Sequence, residues 1–168
     1  AALSDSRSSC GSGASTDGDT TSEYLSDCKC KSGFYGSAPD SGCNQCGANS
    51  DTQAVVSNSR SITDCLCDAG YYGSSGSCTT VGDGFYSADL TDTRTACGTG
   101  ATTGGATTSD SKTDCVCDTG YYGDASGGGD CEACHANSDT AAGTSNSRTS
   151  IACLCDKGYY SVNGACTT

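Results

Sequence analysis

The stretch "CEACHANSDTAAGTSNSRTSIACLCDKGYY", residues 131–160, contains four cysteines, the only histidine of the chain and a tyrosine pair that follows a glycine. The same skeleton occurs three more times, beginning at Cys10, Cys43 and Cys97. Each copy ends in a C-x-C segment that is followed by a glycine and two aromatic residues. Because the pattern recurs along the chain, one structural role has to explain all four copies.

The composition of the chain is that of a disulfide scaffold. Leu, Ile, Val and Phe make up only 14 of its 168 residues, too few for a packed hydrophobic core. A net charge of -12 and low hydropathy are by themselves typical of disordered chains. Sixteen cysteines favour a folded chain instead, because each disulfide contributes roughly 2 to 4 kcal/mol. We therefore expect an oxidising, extracellular location, either secreted or at the cell surface.

The charge and hydropathy patterns argue against several partners. Eight basic residues stand against twenty acidic ones, with no Lys/Arg cluster, so nucleic acid and anionic lipid are not expected to bind. No apolar run is long enough for a signal-peptide core or for a membrane span. The chain is interpreted as a processed mature chain or a piece of one.

The cysteine spacing divides the chain into four modules, each with four cysteines in the order C-x(17,18)-C-x-C-x(10,13)-C. A longer period of 87 or 88 residues is superimposed, so the repeating unit is a pair of modules. The predicted boundaries are residues 1–45 for module 1, 46–80 for module 2, 81–96 for a spacer, 97–133 for module 3 and 134–168 for module 4.

The spacer repeats the beginning of the chain. Its segment "ADLTDTRTAC", residues 88–97, is nearly identical to "AALSDSRSSC", residues 1–10. Fixed-period repeats of this kind predict an array in which each unit contacts mainly its neighbours, and hence an elongated rod. Because the segments are rich in Gly and Ser and lack a 3.6-residue period, we expect short β-hairpins and little helix.

The cysteines allow three interpretations, namely metal site, redox centre or disulfide staple. "CNQC" from Cys43 with the later "CLC" approaches a four-thiolate zinc pattern, but alternate modules have Arg7 or Arg94 where the first cysteine should be. Redox chemistry needs a helix N-terminus beside the thiol, and none is evident. The cysteines are therefore interpreted as disulfides, and no metal or other cofactor is expected.

The two cysteines of a C-x-C segment are too close together to bond to each other. The simplest assignment joins the first cysteine of a module to the second and the third to the fourth, although the sequence leaves other connectivities open. The pairs in this assignment are Cys10–Cys28, Cys30–Cys43, Cys46–Cys65, Cys67–Cys78, Cys97–Cys115, Cys117–Cys131, Cys134–Cys153 and Cys155–Cys166.

No catalytic grouping recurs with the modules. His135 stands where the other modules have glycine and has no recurring acidic or nucleophilic neighbour, so it is interpreted as an exposed substitution and the chain as a non-enzyme. The tyrosine rings are expected to cover disulfides, and some to pack across module or subunit junctions. The residues predicted to pack at junctions are Leu3, Leu90, Phe85, Tyr86, Tyr159 and Tyr160.

The segment "CLCDAGYYGSSGSC", residues 65–78, resembles the second half of an epidermal-growth-factor-like module, C-x-C-x-x-G-[FY] with a closing cysteine. The longer copies resemble the cysteine-rich EGF-like repeat of ephrin-receptor type, a family that also forms arrays on protist and algal surface proteins. The resemblance implies a rod of tandem truncated EGF-like modules. Val81 and Arg94 stand where that family has cysteines, and the loss of both together favours the local pairing. The acidic cluster of calcium-binding EGF modules is not present, so calcium is not implied.

Two functions fit these observations. The first is a structural subunit of an extracellular filament or cell-surface coat, which assembles head to tail into a homopolymer. The alternative is a ligand-binding or adhesive ectodomain fragment of a surface receptor or antigen, for which one module should diverge and present an apolar or charged patch; we expect no module to do so. Hydroxyl-rich segments are expected to be exposed and to carry O-linked glycans, with the candidate positions Thr102, Thr103, Thr107, Thr108, Ser57, Ser59, Ser145 and Ser147.

Overall fold

The computed structural model describes residues 9–16, 24–38, 42–53, 59–127, 130–141, 147–163 and 165–168. All sixteen cysteines lie in these ranges, and none is free. Each is bonded within its own module, the first cysteine to the second and the third to the fourth, which is the local assignment. The chain is thus a small disulfide-rich protein, as its composition predicts.

The described residues form nine two-stranded sheets, and each module contains two of them. The first sheet of a module pairs a strand of the long first loop with the C-x-C strand, and the second pairs the Gly-aromatic strand with the strand of the closing cysteine. The prediction of short hairpins is confirmed. The strands are β1 (Ala14–Ser15), β2 (Lys29–Cys30), β3 (Phe34–Ser37), β4 (Gly42–Gln45), β5 (Ser50–Asp51), β6 (Leu66–Cys67), β7 (Tyr71–Ser74), β8 (Ser77–Thr80), β9 (Phe85–Tyr86), β10 (Thr95–Ala96), β11 (Ala101–Thr102), β12 (Val116–Cys117), β13 (Tyr121–Gly123), β14 (Cys131–Ala133), β15 (Ser138–Thr140), β16 (Cys153–Cys155), β17 (Tyr160–Val162) and β18 (Ala165–Thr167).

The glycine before each aromatic pair is required by a tight turn. In module 2 the amide of Tyr71 donates to the carbonyl of Asp68 at 3.0 Å, and in module 3 the amide of Tyr121 donates to Asp118 at the same distance. The third residue of each turn is the glycine, with φ of +80° at Gly70. A turn of this type needs a positive φ at that position, which glycine adopts without steric cost.

Helix is limited in the described residues to four single 3₁₀ turns, η1 (Leu25–Asp27), η2 (Ile62–Asp64), η3 (Lys112–Asp114) and η4 (Ser150–Ala152). An aspartate caps three of them; for example, the Asp64 carboxylate accepts the amides of Arg60 at 2.8 Å and Ser61 at 3.1 Å. Ala152 occupies that position in η4, which has no side-chain cap. Module 4 therefore lacks a contact that the other modules use to hold this turn.

The chain divides into two compact units, one of Ala1–Thr79 with Asp89–Asp92 and the other of Thr80–Ala88 with Thr93–Thr168. In the second unit a small core surrounds the disulfides of module 3, with Cys115, Cys117, Ala125 and Cys131 buried and Tyr86, Cys97, Ala101 and Tyr121 packed against them. Tyr121 belongs to the same module as these disulfides, and Tyr86 comes from the preceding spacer. The rings thus take both of the roles expected of them, one within a module and one across a junction.

Candidate interaction surfaces: the module joints

The same hydrogen bond joins a module to the segment before it at three places, twice between two modules and once between the spacer and module 3. The amide of the turn glycine donates to the hydroxyl of a threonine in the following module, at 3.1 Å for Gly33 to Thr52, 3.2 Å for Gly84 to Thr103 and 2.9 Å for Gly120 to Thr140. All three threonines are buried, at 2%, 7% and 3% exposure. We call this contact the Gly–Thr joint. Because a buried amide without an acceptor costs free energy, the glycine amide of each joint needs the threonine hydroxyl as its acceptor.

A second bond accompanies each Gly–Thr joint three residues further along the Gly-aromatic strand. The amides of Gly36, Ser87 and Gly123 donate to the carbonyls of Ser59, Ser109 and Ser147, at 2.8, 3.1 and 2.8 Å. Three Gly-aromatic strands, β3, β9 and β13, are therefore held at two points by the module that follows them. The strand of module 2, β7, is held differently, through a bond from the Gly73 amide to the Asp92 carbonyl.

A carboxylate reinforces two of these joints. In one it belongs to the segment that supplies the glycine, and in the other to the module that supplies the threonine. At the joint with module 3, Asp83 accepts the Thr102 hydroxyl at 2.5 Å and the Thr103 amide at 3.0 Å. These hydrogen bonds, with the Thr102 hydroxyl contributing most, lower the pKa of Asp83 to about 2. At the joint between modules 1 and 2 the acid is Asp51, which accepts the Ser32 hydroxyl at 2.9 Å. The hydroxyl-rich composition of the chain thus serves the joints as well as the surface.

The spacer is a folded hairpin in which the Arg94 side chain, bonded to the backbone of Val81, links two positions that are cysteines in module 1. Strand β9 pairs with β10, with Phe85 opposite Ala96. Val81 is fully buried, and the Arg94 guanidinium donates to the Val81 carbonyl at 2.7 Å. The same guanidinium lies 4.0 Å from the centre of the Phe85 ring, close enough for a cation–π interaction. The positions that lack cysteines relative to the EGF-like pattern therefore contact each other.

A different joint, which we call the Asp92 joint, connects residues 89–92 to module 2. The Thr91 amide donates to the carbonyl of Cys67 at 3.2 Å, and the Cys67 amide donates to the Asp92 carboxylate at 3.3 Å. The amide of Gly73 donates to the Asp92 carbonyl at 3.2 Å. Burial, followed by the nearby charges of Asp89 and Asp51, raises the pKa of Asp68 beside this joint. Residues 89–92 thus cover the outer edge of β6 and of β7.

Module 4 has four large exposed apolar side chains among the described residues, whereas module 1 has two, Tyr24 and Leu25, and module 2 has one, Ile62. Ile151 is 86% exposed, Leu154 60% and Tyr160 59%, and Val162 is exposed as well. The expectation that no module presents an apolar patch is therefore wrong. Part of the cause is substitution, since Ile151 and Val162 replace Thr63 and Ser74 of module 2. Leu154 and Tyr160 are not substitutions, because module 2 has Leu66 and Tyr72 at those positions.

His135 is exposed, as expected, but its position has a structural consequence that the sequence pattern did not reveal. In module 2 the equivalent residue is Gly47, and a Cβ atom there would lie 2.0 Å from the carbonyl oxygen of Gly76. A side chain at this position does not fit the packing of module 2, and the equivalent of Gly76 in module 4, Gly164, lies outside the described residues. Cys65 is fully buried, whereas Cys153 is half-buried.

The structure separates the predicted glycan positions. Thr107 and Thr108 are exposed, and Thr102 and Ser147 are half-buried. The predicted exposure of Ser59 and Thr103 is wrong, since they are 4% and 7% exposed. The physical reason is that the Ser59 carbonyl and the Thr103 hydroxyl are acceptors in the joints. Ser57 and Ser145 lie outside the described residues.

The predicted junction residues also have different environments. The Phe85 ring lies against the Arg94 guanidinium, and Tyr86 packs on the core of module 3. Leu90 is half-buried in the Asp92 joint, with a left-handed φ of +55°. Tyr159 is half-buried and Tyr160 exposed. Leu3 lies outside the described residues.

Comparison with known proteins does not identify a relative. No protein-family model, curated protein or solved structure matches the chain. Within the described residues no group of three or more His, Cys, Asp or Glu side chains is arranged to hold a metal ion. The described part of the chain also contains no helix with the length and apolar character needed to cross a membrane.

Proposed function

We propose that this protein is a structural subunit of an extracellular filament or cell-surface coat, with copies that associate head to tail into a homopolymer. The observation that supports the proposal is the Gly–Thr joint, which recurs three times with the same donor and acceptor atoms. A contact that recurs along a repeated chain can continue from one copy to the next, and a contact of two different faces produces open fibres unless its rotation closes a ring. The proposed role is not enzymatic.

The chemistry of the chain suits this role. Eight disulfides indicate an oxidising environment, for which we propose the outside of the cell. We further propose that exposed hydroxyl-rich loops, such as the one with Thr107 and Thr108, carry O-linked glycans. Dense glycans would keep an acidic, hydroxyl-rich coat hydrated without occupying the buried joint threonines.

The proposal is tested by electron microscopy of the purified, fully oxidised chain at increasing concentration. We expect unbranched fibres that disappear when the disulfides are reduced, because reduction removes the support of the joints. A chain that remains monomeric in analytical ultracentrifugation at about 1 mM, where even weak association is measurable, would overturn the filament. Material from the natural source adds a check: a reduced, denatured mass near 16.6 kDa plus sugar supports separate subunits. A much larger mass means that the array is covalent.

The apolar side chains of module 4 favour a second candidate, an adhesive or ligand-binding ectodomain. Exposed apolar patches mark interaction sites, and Ile151 is the most exposed of these side chains. A monomeric chain that binds to cells or matrix, and loses that binding in the Ile151→Ser variant, would support the ectodomain. Fibre formation that is unaffected by the same variant would support the filament.

A further inference from the structure

Modules 2 and 4 have nearly the same sequence around their C-x-C strands but different exposure. Leu66 and Tyr72 are half-buried in module 2, whereas Leu154 and Tyr160 are 60% and 59% exposed in module 4. Cys67 is fully buried, but its equivalent Cys155 is only half-buried. Because these residues are of the same type in both modules, a difference in their surroundings has to explain their exposure.

The Asp92 joint is one difference in these surroundings. In module 2, Thr91 and Asp92 lie against the outer edge of β6 and β7, where they bond to Cys67 and Gly73. Residues 89–92 of this chain cannot cover module 4 at the same time as module 2. The sequence of the covering segment occurs twice, however, since Leu90, Thr91 and Asp92 correspond to Leu3, Ser4 and Asp5.

We propose that module 4 binds residues 1–7 of a second copy of the chain, on a surface formed by Leu154, Cys155, Tyr160 and Ser161. We call this surface the module 4 face. This inference rests on the proposed self-association and adds to it the two contacting parts of the molecule.

The backbone of module 4 presents the groups that this binding requires. Cys67 is opposite Ser50 in its sheet, and Cys155 is opposite Ser138 in the same register. Since Cys67 directs its amide and carbonyl toward residues 91 and 92, Cys155 directs the same groups outward. From the sequence correspondence alone, we expect residue 4 to take the place of Thr91 at the Cys155 carbonyl, and residue 5 to take the place of Asp92 at the amides of Cys155 and Ser161.

One unfavourable contact of the Asp92 joint is absent from the proposed pairing. In module 2 the charge of Asp89 acts on Asp68, whereas the second copy has the uncharged Ala2 at the position of Asp89. Asp156 of module 4, the equivalent of Asp68, therefore meets no acid at residue 2. The net charge of -12 on each copy still opposes association, so we expect association to strengthen as salt is raised.

The test compares self-association of three forms of the full chain by analytical ultracentrifugation. The face variant combines Leu154→Glu with Tyr160→Asp, and the control Ile62→Glu adds a charge to an exposed apolar side chain of module 2. We expect wild type and control to associate alike and the face variant to dissociate at least about tenfold more readily, because both new carboxylates would have to be buried. Unchanged disulfide pairing in all three forms shows that the modules remain folded.

A synthetic peptide of residues 1–9 provides an independent readout by NMR of the monomeric chain at low concentration. We expect it to shift the amide signals of Cys155 and Ser161, and we expect an Asp5→Ala peptide not to do so. If the chain never associates but the peptide shifts these signals, the module 4 face stands and the filament fails. If all three forms associate equally, the filament stands and the module 4 face is wrong. If there is neither association nor a shift, both proposals are overturned.

Discussion

Replacing Val81 and Arg94 by cysteines should create a ninth disulfide, because Phe85 pairs with Ala96 in the same register as Phe34 with Gln45, so that Val81 and Arg94 occupy the places of Cys30 and Cys43. They are 13 residues apart, the same separation as Cys30 and Cys43, which are bonded. Closing a loop of about 14 residues stabilises a folded hairpin by about 3 kcal/mol relative to the open chain. The double variant loses the bond from Arg94 to the Val81 carbonyl and the contact with the Phe85 ring, together about 2 kcal/mol. We therefore expect the hairpin of β9 and β10 to be about 1 kcal/mol more stable in the double variant.

The matched control is Arg94→Ala, which loses the same two contacts without gaining a bond. We expect it to speed hydrogen exchange of the β9 and β10 amides about 30-fold, the equivalent of about 2 kcal/mol. The double variant should restore their protection, and its intact mass should show eighteen hydrogens lost to oxidation where the parent chain with eight disulfides loses sixteen. Two free thiols remaining in the double variant would show that positions 81 and 94 are not placed like a cysteine pair. Wild-type exchange rates in Arg94→Ala would show that the contact between Arg94 and Val81 does not stabilise the hairpin.

Three further predictions follow from the joints and the loops. Thr52→Val should remove the acceptor of the Gly33 amide and destabilise its joint by about 1 to 3 kcal/mol, measured as faster hydrogen exchange of the β3 and β4 amides. Thr107 is exposed, so an equal rise in these exchange rates in the control Thr107→Val would contradict this reasoning. Because the pKa of Asp83 is about 2 in the folded chain and near 3.8 unfolded, its stabilising effect is complete above pH 4 and is lost as the pH falls through 2. The Thr103 amide signal should titrate accordingly, Asp83→Asn should abolish the titration, and a midpoint near 3.8 would show that the hydrogen bonds to Asp83 are not formed. The intact mass of natural material should exceed that of the oxidised polypeptide because of O-linked glycans, and a mass equal to that of the bare polypeptide would reject them.

The sequence by itself determined which modules the chain contains, and it predicted their disulfide pairing as the simplest of several open assignments. The two cysteines of a C-x-C segment cannot bond to each other, and in a repeated pattern the local pairing is the simplest assignment that uses every cysteine. The glycine before each aromatic pair is likewise readable, because a turn with a positive φ at its third residue requires it. These features depend on residues that are close together in the chain, so spacing and residue type are sufficient to predict them.

Only the tertiary structure decided which polar groups are buried and which apolar ones are exposed. Thr103 belongs to a hydroxyl-rich segment that reads as an exposed loop, yet it is buried because Gly84, 19 residues earlier, needs an acceptor. Leu154 and Leu66 both lie between the two cysteines of a C-x-C segment, but residues 89–92 bond to the C-x-C strand of module 2 and not to that of module 4. Burial depends on which distant segment packs against a residue, and a repeated local sequence contains no information about that partner.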